Sequence, residues 1–229
     1  GRLIDAVGDR ALVLLDEAGA ELATYTFQSQ AITGTTWTVT SYNNGRQAVV
    51  GVLAIGQTII VLTAGIDLSI GVIAIFAHLF MARLAMNNGW PSILALLAGF
   101  VAATLFGTLN GALVSKVKLP PFIVTLGTLN IFLALGLIYS QAREISGDDL
   151  RGSGNGLLVW TGKTISFGSL RITTGVLMVV VLYAVFAYVL SNTAWGRHIY
   201  AVGDDADAAA LAGIDVNRVK LSAYAVAGF

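Results

Sequence analysis

Ala54-Ile-Gly-Gln57-Thr-Ile-Ile-Val-Leu62-Thr63-Ala64-Gly65-Ile-Asp67-Leu-Ser69-Ile-Gly71 is the stretch on which the reading turns. It is apolar on both sides of a single carboxylate. An acid in such surroundings costs about 2.5–3.5 kcal/mol near the centre of a membrane helix. Gly65 and Gly71 bracket the acid, and glycine loosens a helix. One reading is a broken helix that turns the carboxylate of Asp67 and the hydroxyl of Ser69 toward protein or a water-filled cavity. The other is an interfacial loop between two spans, with Asp67 capping the second helix.

Working outward, residues 51–66, 68–82, 84–115, 119–142 and 172–196 contain no Asp, Glu, Lys or Arg. A spanning helix needs about 20 mostly apolar residues to cross about 30 Å of hydrocarbon. Three of these stretches are ample, whereas 51–66 is short by itself. Leu221–Gly228 opens a further apolar run that stops too early to span. The expected fold class is an all-α polytopic membrane protein, with about five spanning segments and a truncated one over residues 51–229. A short β-rich soluble segment, residues 1–50, precedes it. No signal-peptide pattern opens the chain, and the sequence reads as a piece at both ends.

Composition agrees. Of 229 residues 56% are hydrophobic and 11% charged, against about 25% charged in soluble domains. Thirteen Lys and Arg balance thirteen Asp and Glu, which leaves no basic face to displace counterions from nucleic acid. Cysteine is absent and the two histidines, His78 and His198, are far apart. Neither a disulfide framework, a metal site nor a catalytic cluster is expected.

Within 92–114, Gly99, Ala103, Gly107 and Gly111 recur every four residues, a small-residue face suited to close helix packing in lipid. Lys116-Val-Lys118 and Pro120-Pro121 form a loop before the span Phe122–Gln141, and proline suits a helix start. Asn110 and Asn130 are polar within spans and read first as inter-helix hydrogen-bonders. Residues 142–171 are polar and glycine-rich, without a helical period, as in an external segment. There Gly156–Thr164 ends in Gly162-Lys163-Thr164. A phosphate-binding loop needs four residues between its glycines, and this stretch has five, so a nucleotide site is excluded. After the span 172–190, Asp204 or Asp205 can cap a short alanine-rich helix, and Gly213 suits its stop. Such a helix is a solvated connector or a small-residue insert for a partner's groove.

At the front, Ala11–Leu15 is a short apolar run, Asp16–Gly19 a turn signal, and Glu21–Phe27 and Thr36–Tyr42 alternate as strands do. Asn43-Asn-Gly45 is a tight-turn signal. These residues resemble the META family of small bacterial envelope β-domains. Leu12–Asp16 through Gly19–Tyr25 is similar to the last hairpin of one such domain, and Ile32–Tyr42 with Gly45 to the opening strand of a second. Two incomplete domains against a membrane helix imply a spliced or chimeric sequence.

Residues 52–229 resemble the permeases of bacterial monosaccharide ABC importers of the ribose/xylose/arabinose type. The resemblance rests on Leu62–Gly71, on Asn110-Gly111 with Pro121–Gly127, and on Gly196–Gly203 with Ala208-Ala209, Leu211–Ile214 and Arg218. It implies a multi-pass inner-membrane permease, not an enzyme, that moves a pentose-like sugar by alternating access. It implies no cofactor of its own, since ATP would be bound by cytoplasmic ATPase subunits. A periplasmic sugar-binding protein and a second permease copy would complete the assembly. The resemblance puts Gln57, Thr63, Asp67 and Ser69 beside the substrate pathway. It gives Gly203, Asp204, Asp205, Ala208, Ala209, Leu211, Gly213 and Ile214 to ATPase contact. It also puts 115–121 and 191–220 inside. Charge is silent on that point, because Lys116, Lys118, Arg197, Arg218 and Lys220 face Arg83, Arg143, Arg151, Lys163 and Arg171 in equal number. Departures from the family pattern are Ala64, where a second glycine is common, Asp204-Asp205 in place of Gly-Asn, and Ala210 in place of a basic residue. The competing readings are an envelope β-domain with a membrane tail and an amino-acid-type ABC permease, whose helix plan is similar.

Overall fold

The computed structural model describes residues 3–6, 11–15, 21–26, 44–141, 147–167 and 170–229. The chain divides into two compact units, Gly1–Tyr42 and Asn43–Phe229. In the first, β1 (Leu3–Ala6), β2 (Ala11–Leu15) and β3 (Glu21–Thr26) form an antiparallel meander in the order β1-β2-β3. Val13 pairs with Thr24 and Leu12 with Tyr25, the hairpin that the apolar run and the following alternation call for. The strand expected at Thr36–Tyr42 lies outside the described residues.

The second unit is helical. Its long elements are α1 (Asn44–Val61), α2 (Ile70–Asn87), α3 (Ser92–Ser115), α4 (Pro121–Ser140) and, after an intervening segment, α6 (Thr174–Asn192). Asn44-Gly45 opens α1 rather than turning a hairpin. Four of these helices, α2, α3, α4 and α6, are long and apolar enough to cross a membrane. The apolar part of α1, Ala48–Val61, is shorter, about 21 Å at 1.5 Å per residue. Among the described residues, four full spans and a short fifth make up the roughly five expected. A β-domain on a single membrane tail does not describe this architecture.

Between α4 and α6 lie α5 (Gly147–Gly152), a 3-10 turn (Gly156–Gly162) and the hairpin β4 (Thr164–Phe167) and β5 (Leu170–Thr173). Leu150 and Leu158 are buried with Ala82, Ala85 and Ala95, so this segment packs on the end of the α2–α3 pair. The Gly162–Thr164 string runs from the 3-10 turn into β4. A phosphate loop would run from a strand into a helix.

After α6 come α7 (Ala194–Asp204), α8 (Ala206–Leu211) and α9 (Val216–Gly228). The small-residue face of α3 meets α9 over much of its length. A Cβ at Gly107 would stand 2.3 Å from the Tyr224 carbonyl oxygen, and one at Gly228 2.7 Å from that of Ala103. Gly99 at the other end of the stripe faces Ala77 and Met81 of α2. Without side chains between them the backbones meet directly, which is how helices associate where lipid removes the hydrophobic drive. Large side chains such as Leu105, Ile138, Val180 and Tyr188 are exposed on the outside, as a lipid-facing surface requires.

The main core gathers Ile59 and Ile60 of α1, Val114 of α3, Val124 of α4, Leu190 of α6, Ile199 and Val202 of α7, and Ala223 and Tyr224 of α9. These are the last turns of α1, α3 and α6 and the first turn of α4. The connection 62–69, the α3–α4 turn and the α7–α8 segment therefore meet at one end of the bundle.

Candidate functional site

The break at that end is built from the α1 terminus. The Ala64 N–H donates to the Val61 carbonyl at 2.9 Å, and the Gly65 N–H to that of Ile60 at 3.0 Å. This hydrogen-bond pair ends a helix with one left-handed residue, and that residue is Ala64, with φ of 56°. Glycine takes such a conformation freely, whereas a Cβ is penalised. The departure noted at Ala64 thus falls on a residue whose backbone conformation favours glycine.

Beyond it Thr63, Gly65, Asp67 and Ser69 are buried, while Ile66 and Leu68 turn outward. The polar side faces protein and the apolar side faces out, the arrangement that a non-helical segment needs at membrane depth. Asp67 is 4% exposed. One oxygen, Oδ1, accepts from both the Ser69 N–H and the Ser69 hydroxyl at 2.7 Å. The carboxylate thereby closes a turn on Ser69, the residue from which α2 starts, near the helix end whose dipole favours negative charge. The helix is interrupted, as one reading of the sequence has it, whereas the expected cap falls on Ser69, and Asp67 sits two residues ahead of it and holds it in a turn.

Ser69 in turn accepts from Asn110 Nδ2 at 2.7 Å. Asn110 is fully buried on α3, so the expected inter-helix bond is present. Asn130 differs: it is exposed and donates to Leu126 within its own helix, at 2.9 Å. Its amide finds a local carbonyl four residues back and never reaches a neighbour.

The structure brings Thr63, Asp67 and Ser69 together in this break. Thr63 donates to the Ile60 carbonyl at 2.8 Å. Gln57 lies on α1, where its Oε1 is buried and unpaired. Two further residues belong to the site and escape sequence reasoning. Thr125 of α4 donates to the Ile66 carbonyl at 3.2 Å, holding the irregular backbone. Tyr224 of α9 is 1% exposed with its hydroxyl unpaired, and that oxygen stands 3.2 Å from where a Gly65 Cβ would be. Thr125 looks like any span threonine. Tyr224 falls in an apolar run too short to announce a span.

Residues 203–214 are positioned by three caps. Thr193 accepts from the Gly196 N–H and starts α7. Asp205 Oδ1 accepts from the Asp207 and Ala208 N–H groups, each at 2.9 Å, and starts α8. Asp215 accepts from the Arg218 N–H at 3.0 Å and starts α9. Gly213, with φ of 87°, stops α8. Of the expected contact residues, Asp204, Asp205, Ala208, Leu211 and Gly213 are exposed, Leu211 at 92%. Ala209 is buried, and Gly203 and Ile214 are half-buried, so these three hold the segment to the bundle.

A separate cavity of about 830 Å³ opens between α1, α2 and α6. Its walls include Val49, Val52, Leu53, Val72, Ile75 and Met178, with His78 as the one ionisable side chain among the described residues. Such walls offer few partners for the hydroxyls of a sugar. Gln57, Thr63, Asp67 and Ser69 are not among its lining residues.

A family profile described as the permease component of branched-chain amino acid transport systems matches residues 45–229. The chain belongs to this permease family. With four full-length apolar helices, the permease is a multi-pass protein of the inner membrane, and its family is one of transport permeases rather than enzymes. It is similar to a fructose import permease protein of Rhizobium meliloti, 41% identical over 181 residues, or 79% of this chain and 50% of that protein. It is 34% identical to a ribose import permease protein of Bacillus subtilis, over 79% of this chain and 54% of the relative. An autoinducer 2 import system permease protein of Shigella flexneri is 30% identical, over 77% and 48%. The chain spans about half the length of the curated relatives it matches. No solved structure matches it at a significant level.

Proposed function

We propose that this chain is the half of an importer permease that carries the ATPase-contact segment, and that its cargo is a monosaccharide moved by alternating access. The observation that carries the reading is α8. It is a short helix, capped by Asp205, stopped at Gly213 and exposing Leu211 and Ala208 at one end of a membrane bundle. A helix with small side chains and one large apolar tip fits a groove on a cytoplasmic partner. That partner would bind and hydrolyse ATP, so the permease needs no cofactor of its own. A periplasmic sugar-binding protein and a second permease copy would complete the assembly. The cargo class follows the fructose and ribose import permeases to which the chain is similar.

Gln57, Thr63, Asp67 and Ser69 lie beside the sugar path in this reading. Gln57 keeps free hydrogen-bonding capacity in its unpaired oxygen, as a ligand to a hydroxyl must. Asp67 and Ser69 spend theirs on fixing the break.

The test is uptake into proteoliposomes holding the intact permease, its ATPase and its binding protein. Labelled fructose or ribose is expected to accumulate only with ATP, and unlabelled monosaccharide to compete where leucine does not. Competition by leucine and none by sugars would overturn the cargo assignment. Uptake that ignores ATP would overturn the importer.

A further inference from the structure

Gly203 lies against the end of α1 with no side chain between. A Cβ there would stand 1.9 Å from the Leu62 carbonyl oxygen and 3.5 Å from Thr63 Cα. Leu62 is the residue at which α1 gives way to the break. Val202 beside it is 2% exposed, in the same core as Ile59 and Ile60, so the approach is part of a packed interior. From the break, polar contacts lead to the other elements at this end. Ser69 Oγ accepts from Asn110 on α3, and the Ile66 carbonyl accepts from Thr125 on α4. The Gly65 backbone faces the hydroxyl of Tyr224 on α9.

We infer that the break 62–69 receives movement of the α7–α8 segment, through the contact between Gly203 and Leu62, and passes it to α3 through the Ser69–Asn110 hydrogen bond. This rests on the reading that 203–214 meets an ATPase. A direct backbone contact in a close-packed core has no flexible side chain to absorb a displacement, so it must hand the displacement on. The receiving segment is non-helical, and residues at element ends are those that absorb changes in φ and ψ during domain motion. Gly203, Ser69 and Asn110 are then positioning residues and not sugar ligands. Their effect appears in the coupling of hydrolysis to import rather than in sugar affinity.

The experiment uses the intact permease with its ATPase and binding protein in proteoliposomes, and reads sugar import and ATP hydrolysis on the same preparation. For Gly203→Ala, import is expected to fall about tenfold, within the range of known coupling energies, while hydrolysis changes by less than about twofold. Ser69→Ala and Asn110→Ala shift the ratio in the same direction by less, and Ser69→Thr, which keeps the hydroxyl, restores it. Gly127→Ala, at a position with nothing within 4 Å of an added Cβ, leaves both rates unchanged. Import and hydrolysis falling in step, or a higher KM for sugar at an unchanged maximal rate, would overturn the inference. Amide hydrogen exchange on the same variants decides it without transport. Gly203→Ala is expected to speed exchange at Gly65–Ser69 while α6 stays protected. If the wild type imports no sugar, the function proposed above fails. Unchanged exchange at Gly65–Ser69 would instead sink the contact described here.

Discussion

The break at 62–69 and the segment at 204–215 solve one local problem in the same way and in opposite surroundings. Each stops a helix with a left-handed residue and the same pair of hydrogen bonds. At Ala64 these run to Val61 and Ile60, and at Gly213 the Gly213 and Ile214 N–H groups reach Ala210 and Ala209, each at 3.0 Å. In each an aspartate then accepts a backbone N–H where the next helix begins, Asp67 from Ser69 just ahead of α2 and Asp215 from Arg218 within α9. Yet Asp67 is 4% exposed, and the Asp215 side chain 51%. The chain chemistry of stopping and restarting a helix is indifferent to burial. The energetic consequence of each residue is not, because water can replace a lost partner at Asp215 and cannot at Asp67.

The comparison breaks most readily at the two carboxylates. Asp67→Ala strands the buried Ser69 hydroxyl and N–H, and should lower stability by about 2 kcal/mol. Asp215→Ala leaves the Arg218 N–H to water and should cost about 1 kcal/mol or less. Denaturant unfolding in detergent measures both, and equal losses would erase the distinction.

The two stop residues sharpen it next, with opposite signs. Gly213→Ala forces a Cβ into the left-handed region and should destabilise by about 1–2 kcal/mol. Ala64→Gly removes that penalty from the break and should stabilise by up to about 1 kcal/mol. A loss of stability for Ala64→Gly in the same unfolding series would show that the alanine methyl is needed where it stands.

The smallest contrast lies between single polar links. Asn110→Ala deletes an inter-helix bond, and such bonds in membranes average about 0.6 kcal/mol. Arg218→Ala removes an exposed ion pair to Asp215, and surface pairs of this kind contribute about 0–1 kcal/mol, falling further with salt. Repeating the unfolding at high salt separates them, since only the Arg218 effect should fade.

Much of this was legible in advance. The uncharged stretches became α2, α3, α4 and α6, because hydrocarbon demands satisfied backbone and tolerates few charges. Asp205 and Gly213 became cap and stop, because those roles depend on a few neighbouring residues. The four-residue stripe on α3 announced close packing but not its partner. The short hairpin at Thr164–Thr173 did not announce itself, since its strands are four residues each and their pattern is too brief to read. Asn110 and Asn130 looked alike in sequence, and only one found a neighbour.

By itself the sequence determined which segments enter a membrane, where helices stop and start, and which face of α3 is bare. These follow from local chemistry and from hydropathy, which are properties of a few consecutive residues. Only the tertiary structure decided that Ser69 meets Asn110, that Tyr224 closes over Gly65, and that Gly203 rests on Leu62. Those contacts join residues 41 to 159 positions apart. They depend on how whole helices align once their small-residue faces meet, and no run of neighbouring residues encodes that alignment.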